Sequence, residues 1–132
     1  MAEKIFARVV EELVGSPKDH VEETLKQIIA KIKETYSVKT EKVHDTKELE
    51  GLWGTFAELE IEFKDVEQLT LYCFDFMPSS IEIITPAKLT LEQREADLLF
   101  NDLMAKLHRY EFYMKNLTAE NKLLKQKTEE KK

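Results

Sequence analysis

The stretch TLEQREADLLFNDLMAKLHRYEFYMKNLTAENKLLKQK, residues 90–127, contains no Gly and no Pro, and its apolar residues recur at alternating steps of three and four. This spacing is a heptad register, which predicts a long helix with one seam along its length. The seam comprises Ala96, Phe100, Leu103, Leu107, Tyr110, Met114, Leu117, Asn121 and Leu124. A helix of this length exceeds what a small domain needs, so we expect it to project, to pair, or both.

Charged residues beside the seam favour a parallel pair of such helices. In a parallel pair a g residue faces the e residue five positions later in the other chain, so Lys106 meets Glu111. Glu120 meets Lys125 by the same rule, and both pairs are attractive. Asn121, at an a position, fixes the register of a parallel dimer. The predicted homodimer interface consists of Leu103, Leu107, Tyr110, Met114, Leu117, Asn121 and Leu124.

The first half of this helix carries a second apolar stripe on the opposite side, at the f positions. Its members are Leu91, Leu98, Ala105 and Phe112. A solvated helix does not place large apolar groups there. We therefore expect residues 89–132 to dock on the chain's own globular domain in their first half and to form a coiled coil in their second half. One broad helix face inside a single-chain bundle remains an open alternative.

The composition indicates one domain with an extension. Charged residues make up 35% of the 132 residues, with three Gly and three Pro, which is typical of long regular elements joined by short loops. One Cys excludes an internal disulfide. Since no apolar run reaches ~18 residues and no signal-peptide pattern opens the chain, we expect a soluble, cytoplasmic protein without membrane contact.

The charge is unevenly distributed along the chain. Residues 1–86 hold 18 acidic and 10 Lys/Arg residues, a net −8, whereas residues 87–132 hold 8 acidic and 10 Lys/Arg residues, a net +2. An acidic globular part disfavours nucleic-acid binding on that domain. Contact with nucleic acid or a ribosome would have to use the Lys-rich C-terminal end, which contains Lys115, Lys122, Lys125 and Lys127.

The segment before the long helix begins with a strand, a helix and a polar edge strand. Lys4–Gly15 is predicted to be a strand, although its apolar pairs every four residues also fit a helix. Ser16 suits the N-cap of the helix that follows, with Pro17 in its first turn. Ser37–Lys47 is predicted as the polar edge strand, and Glu50–Gly54 as a turn.

Three further elements complete the predicted domain. Thr55–Phe63 alternates apolar and acidic residues and is the clearest strand in the sequence. Asp65–Met77 is predicted as a short helix from its capping-box form, although alternation leaves a strand open. Ser79–Thr85 is predicted as a strand. The order is that of a ferredoxin-like split βαβ fold, an α+β domain at residues 1–88 followed by the long helix at 89–132.

One candidate partner surface emerges from the strand at 55–63 and the turn before it. Glu58, Glu60 and Glu62 lie on the strand face opposite its apolar residues, and Trp53 lies in the turn. Successive glutamates on one face are ~6.6 Å apart, too far to chelate one ion without ligands from other strands. We therefore expect a solvated acidic face. Trp53 either anchors the end of the sheet or is an exposed binding aromatic.

Two runs carry a resemblance that spans most of the chain. They are GTFAELEI at residues 54–61 and FDFMPSSIEI at residues 74–83, with the phrases LHR at 107–109 and AEN at 119–121 closing the pattern. With these runs the chain resembles small archaeal proteins of uncharacterised function that combine a ferredoxin-like domain with a C-terminal coiled-coil helix. The resemblance implies no activity and lends no functional residue.

The sequence favours a binding protein over an enzyme. It has no Gly-rich phosphate loop, zinc-ligand spacing or nucleophile elbow, so we assign no catalytic, cofactor or metal residue. The expected function is that of a non-enzymatic homodimeric interaction or scaffold protein, with acidic globular heads on a parallel coiled coil. The alternatives are a dimeric small-ligand-sensing regulatory module and a nucleic-acid- or ribosome-associated factor.

Overall fold

The computed structural model describes residues 3–130 of the chain. Its strands are β1 (Ile5–Gly15), β2 (Ser37–Val43), β3 (Lys47–Leu49), β4 (Leu52–Phe63) and β5 (Ser80–Thr85). Its helices are α1 (Lys18–Thr35), α2 (Val66–Phe76) and α3 (Gln93–Glu130). The chain divides into two compact units, Met1–Thr90 and Leu91–Lys132, so the sheet with α1 and α2 forms one unit and α3 belongs to the other.

The sheet has the strand order β2-β4-β1-β5, and every neighbouring pair is antiparallel. This is the order of a ferredoxin-like βαββαβ sheet, to which β3 adds a short strand beside the start of β4. The predicted fold class, a ferredoxin-like α+β domain followed by a long helix, is confirmed. β1 pairs with β4 from Ile5 to Gly15, so the predicted strand is confirmed with its start one residue later than Lys4, and the helical alternative is wrong.

The region between β2 and β4 differs from the sequence prediction. The predicted strand Ser37–Lys47 ends at Val43, and the predicted turn Glu50–Gly54 is only two residues long. Glu50 and Gly51 both have positive φ, at 49° and 85°, which closes a tight hairpin between β3 and β4. Pairing therefore starts directly at Leu52, and Trp53 belongs to a strand.

The core lies between one face of the sheet and the two helices α1 and α2. Alternate residues of β1 and β4 enter it because successive strand side chains point to opposite faces. Fully burying each large apolar side chain stabilises the fold by roughly 1.5–3 kcal/mol. The buried apolar set is Ile5, Ala7, Val9, Val21, Leu25, Ile29, Ile32, Tyr36, Ala57, Leu59, Ile61, Phe63, Leu69 and Tyr72.

An aromatic cluster closes one end of this core. Tyr36 follows α1, Phe63 ends β4, and Tyr72 and Phe76 come from α2. Their ring centroids lie between 5.2 and 6.1 Å apart, mostly edge to face, which is the favoured geometry of aromatic pairs. The cluster thereby ties both helices to the sheet.

Of the two predicted N-caps, the structure contains the one at α2 and lacks the one at α1. Asp65 accepts a hydrogen bond from the backbone amide of Gln68, 2.8 Å away, so the predicted helix start at α2 is confirmed. At α1 the cap position is Pro17, and no side chain caps the helix. The prediction that Ser16 is the N-cap is therefore wrong, because Ser16 lies one residue too far from the first-turn amides.

The α3 helix is a single element of 38 residues, about 57 Å long at ~1.5 Å per residue. It begins at Gln93, three residues after the predicted start at Thr90. The side chains of Leu98 and Phe112, the large members of the f-position stripe in this helix, are both more than half exposed. The docking of the first half of residues 89–132 on the globular domain stays a prediction.

Candidate functional site

The face of the sheet opposite α1 and α2 carries the predicted acidic row. Glu58, Glu60 and Glu62 alternate along β4 with the buried Ala57, Leu59, Ile61 and Phe63, so they point away from the core. All three are half-buried rather than fully solvated. Strand alternation from the sequence therefore placed this row on the correct face.

Basic side chains lie beside two glutamates of the row, Glu60 and Glu62. Lys4 Nζ is 3.2 Å from Glu62 Oε1. Arg8, on the neighbouring β1, places one guanidinium nitrogen 4.0 Å from Glu60 and another 3.2 Å from Glu82 on β5. Arg8 thus bridges β4 and β5 across the sheet. Two cations thus face four carboxylates on this surface, which stays acidic. The described residues contain no group of three or more His, Cys, Asp or Glu able to hold a metal ion.

His44 completes the row at the end of β2. Its ring stacks on Phe56 with centroids 4.1 Å apart and planes 15° from parallel. His44 Nε2 is 3.3 Å from Glu58 Oε1 but is shielded from solvent and makes no hydrogen bond within residues 3–130. The short distance therefore reflects proximity imposed by stacking, and we assign the pair no directional interaction.

Glu58→Gln, Glu60→Gln and Glu62→Gln, combined in one variant, should change the free energy of unfolding by about 1 kcal/mol or less. The ion pairs are partly solvated and individually weak, and removing three neighbouring carboxylates relieves repulsion on an acidic head. Urea denaturation measures the effect. A loss of several kcal/mol, or specific divalent-ion binding in calorimetry, would show that the row has a structural or metal-binding role. The matched control makes the same change at Glu23, Glu34 and Glu67, which are exposed on helices.

Trp53 does not lie on the same surface as the acidic row. It precedes the buried Thr55 by two residues in an unbroken strand, so it faces the helix side of the sheet. There Lys18 Nζ, from the first turn of α1, lies 5.5 Å from the centroid of the ring. Trp53 thus anchors the end of the sheet to α1, and the candidate surface reduces to the three glutamates and their neighbours.

A cleft of about 390 Å³ opens between α1 and the segment that joins β2 to β3. Its apolar wall includes Leu25, Ile29 and Val43. Lys18 and Lys26 line it from α1, and Asp45 lines it from the connecting segment, so the cleft offers both signs of charge above an apolar wall. Its size lies within the range of small-ligand pockets.

A buried carboxyl on β1 is the feature that sequence reasoning missed. Glu11 is 5% exposed and accepts a 2.7 Å hydrogen bond from the hydroxyl of Tyr72, which is itself fully buried on α2. Burial raises the pKa of Glu11 to about 6, although the bond from Tyr72 acts in the opposite direction. Burial and the bond to Glu11 both raise the pKa of Tyr72. The pair links the central strand to α2 through one polar contact.

Cys73 lies next to this pair on α2 and is half-buried. Burial raises the pKa of its thiol, and the nearby Glu11 carboxyl acts in the same direction. A thiol with a raised pKa is a poor nucleophile because the thiolate is the reactive form. We therefore assign Cys73 to packing.

The second unit presents the predicted seam along α3. The side chains of Phe100, Leu107, Tyr110, Met114, Leu117 and Leu124 are exposed, and Leu103 is half-buried. Met114 and Leu124 are the most exposed apolar residues of the predicted interface, with 67% and 61% of their surface accessible to solvent. Apolar surface of this extent along one helix is what interaction sites present in soluble proteins.

Glu111, one of the charged residues beside the seam, has a partner in its own helix. Within the single chain Glu111 pairs with Lys115 at 3.1 Å, an i, i+4 contact that is exposed on both sides. Glu111 therefore has a competing partner in its own helix, and a cross-chain contact with Lys106 would require it to be shared. Such exposed pairs contribute little energy either way.

Comparison with known proteins places all but the first five residues of the chain in one family. The model of the MJ0538 family matches residues 6–132, which include both the sheet unit and α3. The match agrees with the resemblance seen in the sequence. No curated protein and no solved structure matches the chain. Among residues 3–130, no helix combines the length and apolar character needed to cross a membrane.

Proposed function

We propose that this chain, which belongs to the MJ0538 family, is a non-enzymatic homodimeric interaction protein. In this proposal the second half of α3 forms a parallel coiled coil with a second copy. Each helix joins the coil to an acidic globular head built from the sheet, α1 and α2. The acidic heads, net −8 over residues 1–86, bind a protein partner with a basic surface.

One observation carries the proposal: the apolar seam of α3 lies exposed along a helix about 57 Å long. Leaving large side chains such as Leu107, Leu117 and Leu124 in water forfeits roughly 1.5–3 kcal/mol for each. Pairing with an identical helix buries all of them at once because the heptad spacing matches on both chains.

Residues beside the seam select the arrangement of the two helices. The cross-chain pairs Lys106 with Glu111 and Glu120 with Lys125 are attractive in the parallel orientation. Each is worth only a few tenths of a kcal/mol at an exposed site, so the charges choose orientation while the apolar seam supplies affinity. Asn121 disfavours slipped or higher-order pairings at some cost in stability.

Two other functions stay hypotheses beside this one. The cleft between α1 and the β2–β3 segment supports a role as a dimeric small-ligand-sensing module, since it joins an apolar wall to opposite charges. A nucleic-acid or ribosome contact rests only on the Lys-rich end of α3. Neither conflicts with dimerisation through α3.

Sedimentation equilibrium tests the proposed function most cheaply. We expect a single species at micromolar concentration with twice the 15.5 kDa mass of one chain. A species with the mass of one chain under those conditions would overturn the proposal, whatever ligand the heads bind. A trimer or a broad distribution would contradict the parallel two-stranded arrangement.

A further inference from the structure

The β5 strand forms one edge of the sheet. It pairs with β1 on one side, and among residues 3–130 no strand of the sheet lies on its other side. Every residue of β5 is exposed except Ile83, which is half-buried. An edge strand of this kind presents unpaired backbone donors and acceptors that can template pairing with another strand.

The sequence of β5 carries little of the charge that protects edge strands. It reads SIEIIT, with three isoleucines and a single charge at Glu82. The opposite edge, β2, reads SVKTEKV and carries three charged residues. Both edge strands have one register shift against their neighbour, so the shifts do not distinguish them. Because charges are what natural sheets use to prevent edge pairing, the difference in charge favours pairing at β5 over pairing at β2.

The position of β5 in the chain indicates which strand pairs with it. β5 ends at Thr85 and α3 begins at Gln93, so a connection of seven residues, reaching at most about 25 Å, joins them. Paired helices lie ~8–10 Å apart. In the dimer each copy of β5 is therefore tethered to the coiled coil by a short connection, so the two copies meet at a high effective concentration.

We propose that β5 pairs antiparallel with β5 of a second copy, so that one sheet runs across the dimer. The inference rests on the proposed function, because the coiled coil supplies the second copy. Antiparallel pairing of identical strands is a two-fold contact, and a parallel coiled coil is related by a two-fold axis as well, so one axis can serve both interfaces.

The charge on β5 restricts the register of this pairing. A pairing centred on Glu82 would set two carboxylates directly opposite each other, which is destabilising. A pairing centred on Ile81, in the regular part of the strand before the irregularity at Ile84, instead sets Ile81 opposite its own copy and Glu82 opposite Ser80 of the second copy. Two β-branched side chains then face each other at the axis, which is a favourable cross-strand pair.

Residue-resolved amide hydrogen exchange on the full chain tests the inference. The amides of β5 that point toward β1 should be protected in every sample and serve as the internal reference. The alternate amides, which point outward, should be protected in the wild type. They should exchange about tenfold faster or more in Leu117→Lys, the variant expected to be monomeric.

Two substitutions separate the edge pairing from the coiled coil. Ile81→Lys places a charge on the exposed edge of β5 and should remove the outward protection while the protein stays dimeric in sedimentation. Val43→Lys makes the same change on the β2 edge and should leave that protection intact. If the wild type is a dimer but its outward β5 amides exchange as fast as those of Leu117→Lys, the edge pairing is overturned and the coiled coil is not. A monomeric wild type overturns both the coiled coil and the edge pairing.

Discussion

Leu117→Lys should convert the proposed dimer into monomers at micromolar concentration while the sheet unit stays folded. Leu117 is 59% exposed in the single chain and occupies a d position of the seam, so the proposed dimer would remove it from water. Losing two buried leucines costs roughly 3–6 kcal/mol per dimer, which raises Kd by more than about a hundredfold. Two ammonium groups facing each other across the seam add repulsion.

Sedimentation equilibrium and circular dichroism together measure this result. The mass should fall to that of one chain, and the strand signal of the sheet unit should persist while the end of α3 loses helix. Ala119→Lys is the matched control, because it adds the same charge two residues further along the same helix, at an f position that faces away from the seam. A Leu117→Lys protein that remains dimeric would refute the predicted interface.

Glu11→Gln should become more stable relative to the wild type as the pH rises. Burial raises the pKa of Glu11 to about 6 from its ordinary value of 4.5, so the native state holds the proton more tightly than the unfolded chain. The stabilisation is complete below about pH 4.5 and is lost as the pH rises through about 6. A shift of this size corresponds to about 2 kcal/mol.

Urea denaturation of both proteins at about pH 4 and pH 8 measures the effect. The difference in unfolding free energy between variant and wild type should move by about 2 kcal/mol in favour of the variant, whatever the fixed cost of burying the amide. The contributions of all other titrating groups to the pH dependence cancel in this difference, because both proteins contain them. Glu12→Gln, at the exposed neighbouring position, controls for loss of one negative charge. A difference that does not change with pH would show that Glu11 ionises normally.

Local pattern was sufficient to predict the fold of the sheet unit. The alternation in Thr55–Phe63 identified β4 and its acidic face, and the Asp65 capping box identified the start of α2. The apolar pairs of Lys4–Gly15 fit both a strand and a helix, and the strand prediction is confirmed because β1 is a central strand of the sheet. The hairpin at Glu50–Gly51 was misplaced because Gly54, normally a turn residue, lies inside a strand.

Features that depend on burial across elements were harder to predict. Glu11 shares the alternation of Ile5, Ala7 and Val9 along β1, so strict counting would have placed it on the core face. Its partner Tyr72 comes from a distant helix, and no local pattern shows that contact. Trp53 is grouped with the acidic row in the sequence prediction because its segment is predicted as a turn, whereas it belongs to β4. In a strand, a shift of one residue moves a side chain to the opposite face of the sheet.

Disulfide trapping at the end of the seam tests the parallel homodimer most directly. In a Cys73→Ser background, Leu124→Cys places a thiol at a d position, where a parallel pair brings the two copies of residue 124 together. Mild oxidation should give a symmetric cross-linked dimer in high yield. Leu103→Cys should do the same alone, and a mixture of the two variants should give no mixed product. Mixed cross-links between positions 103 and 124, with neither variant cross-linking to itself, would contradict the parallel coiled coil.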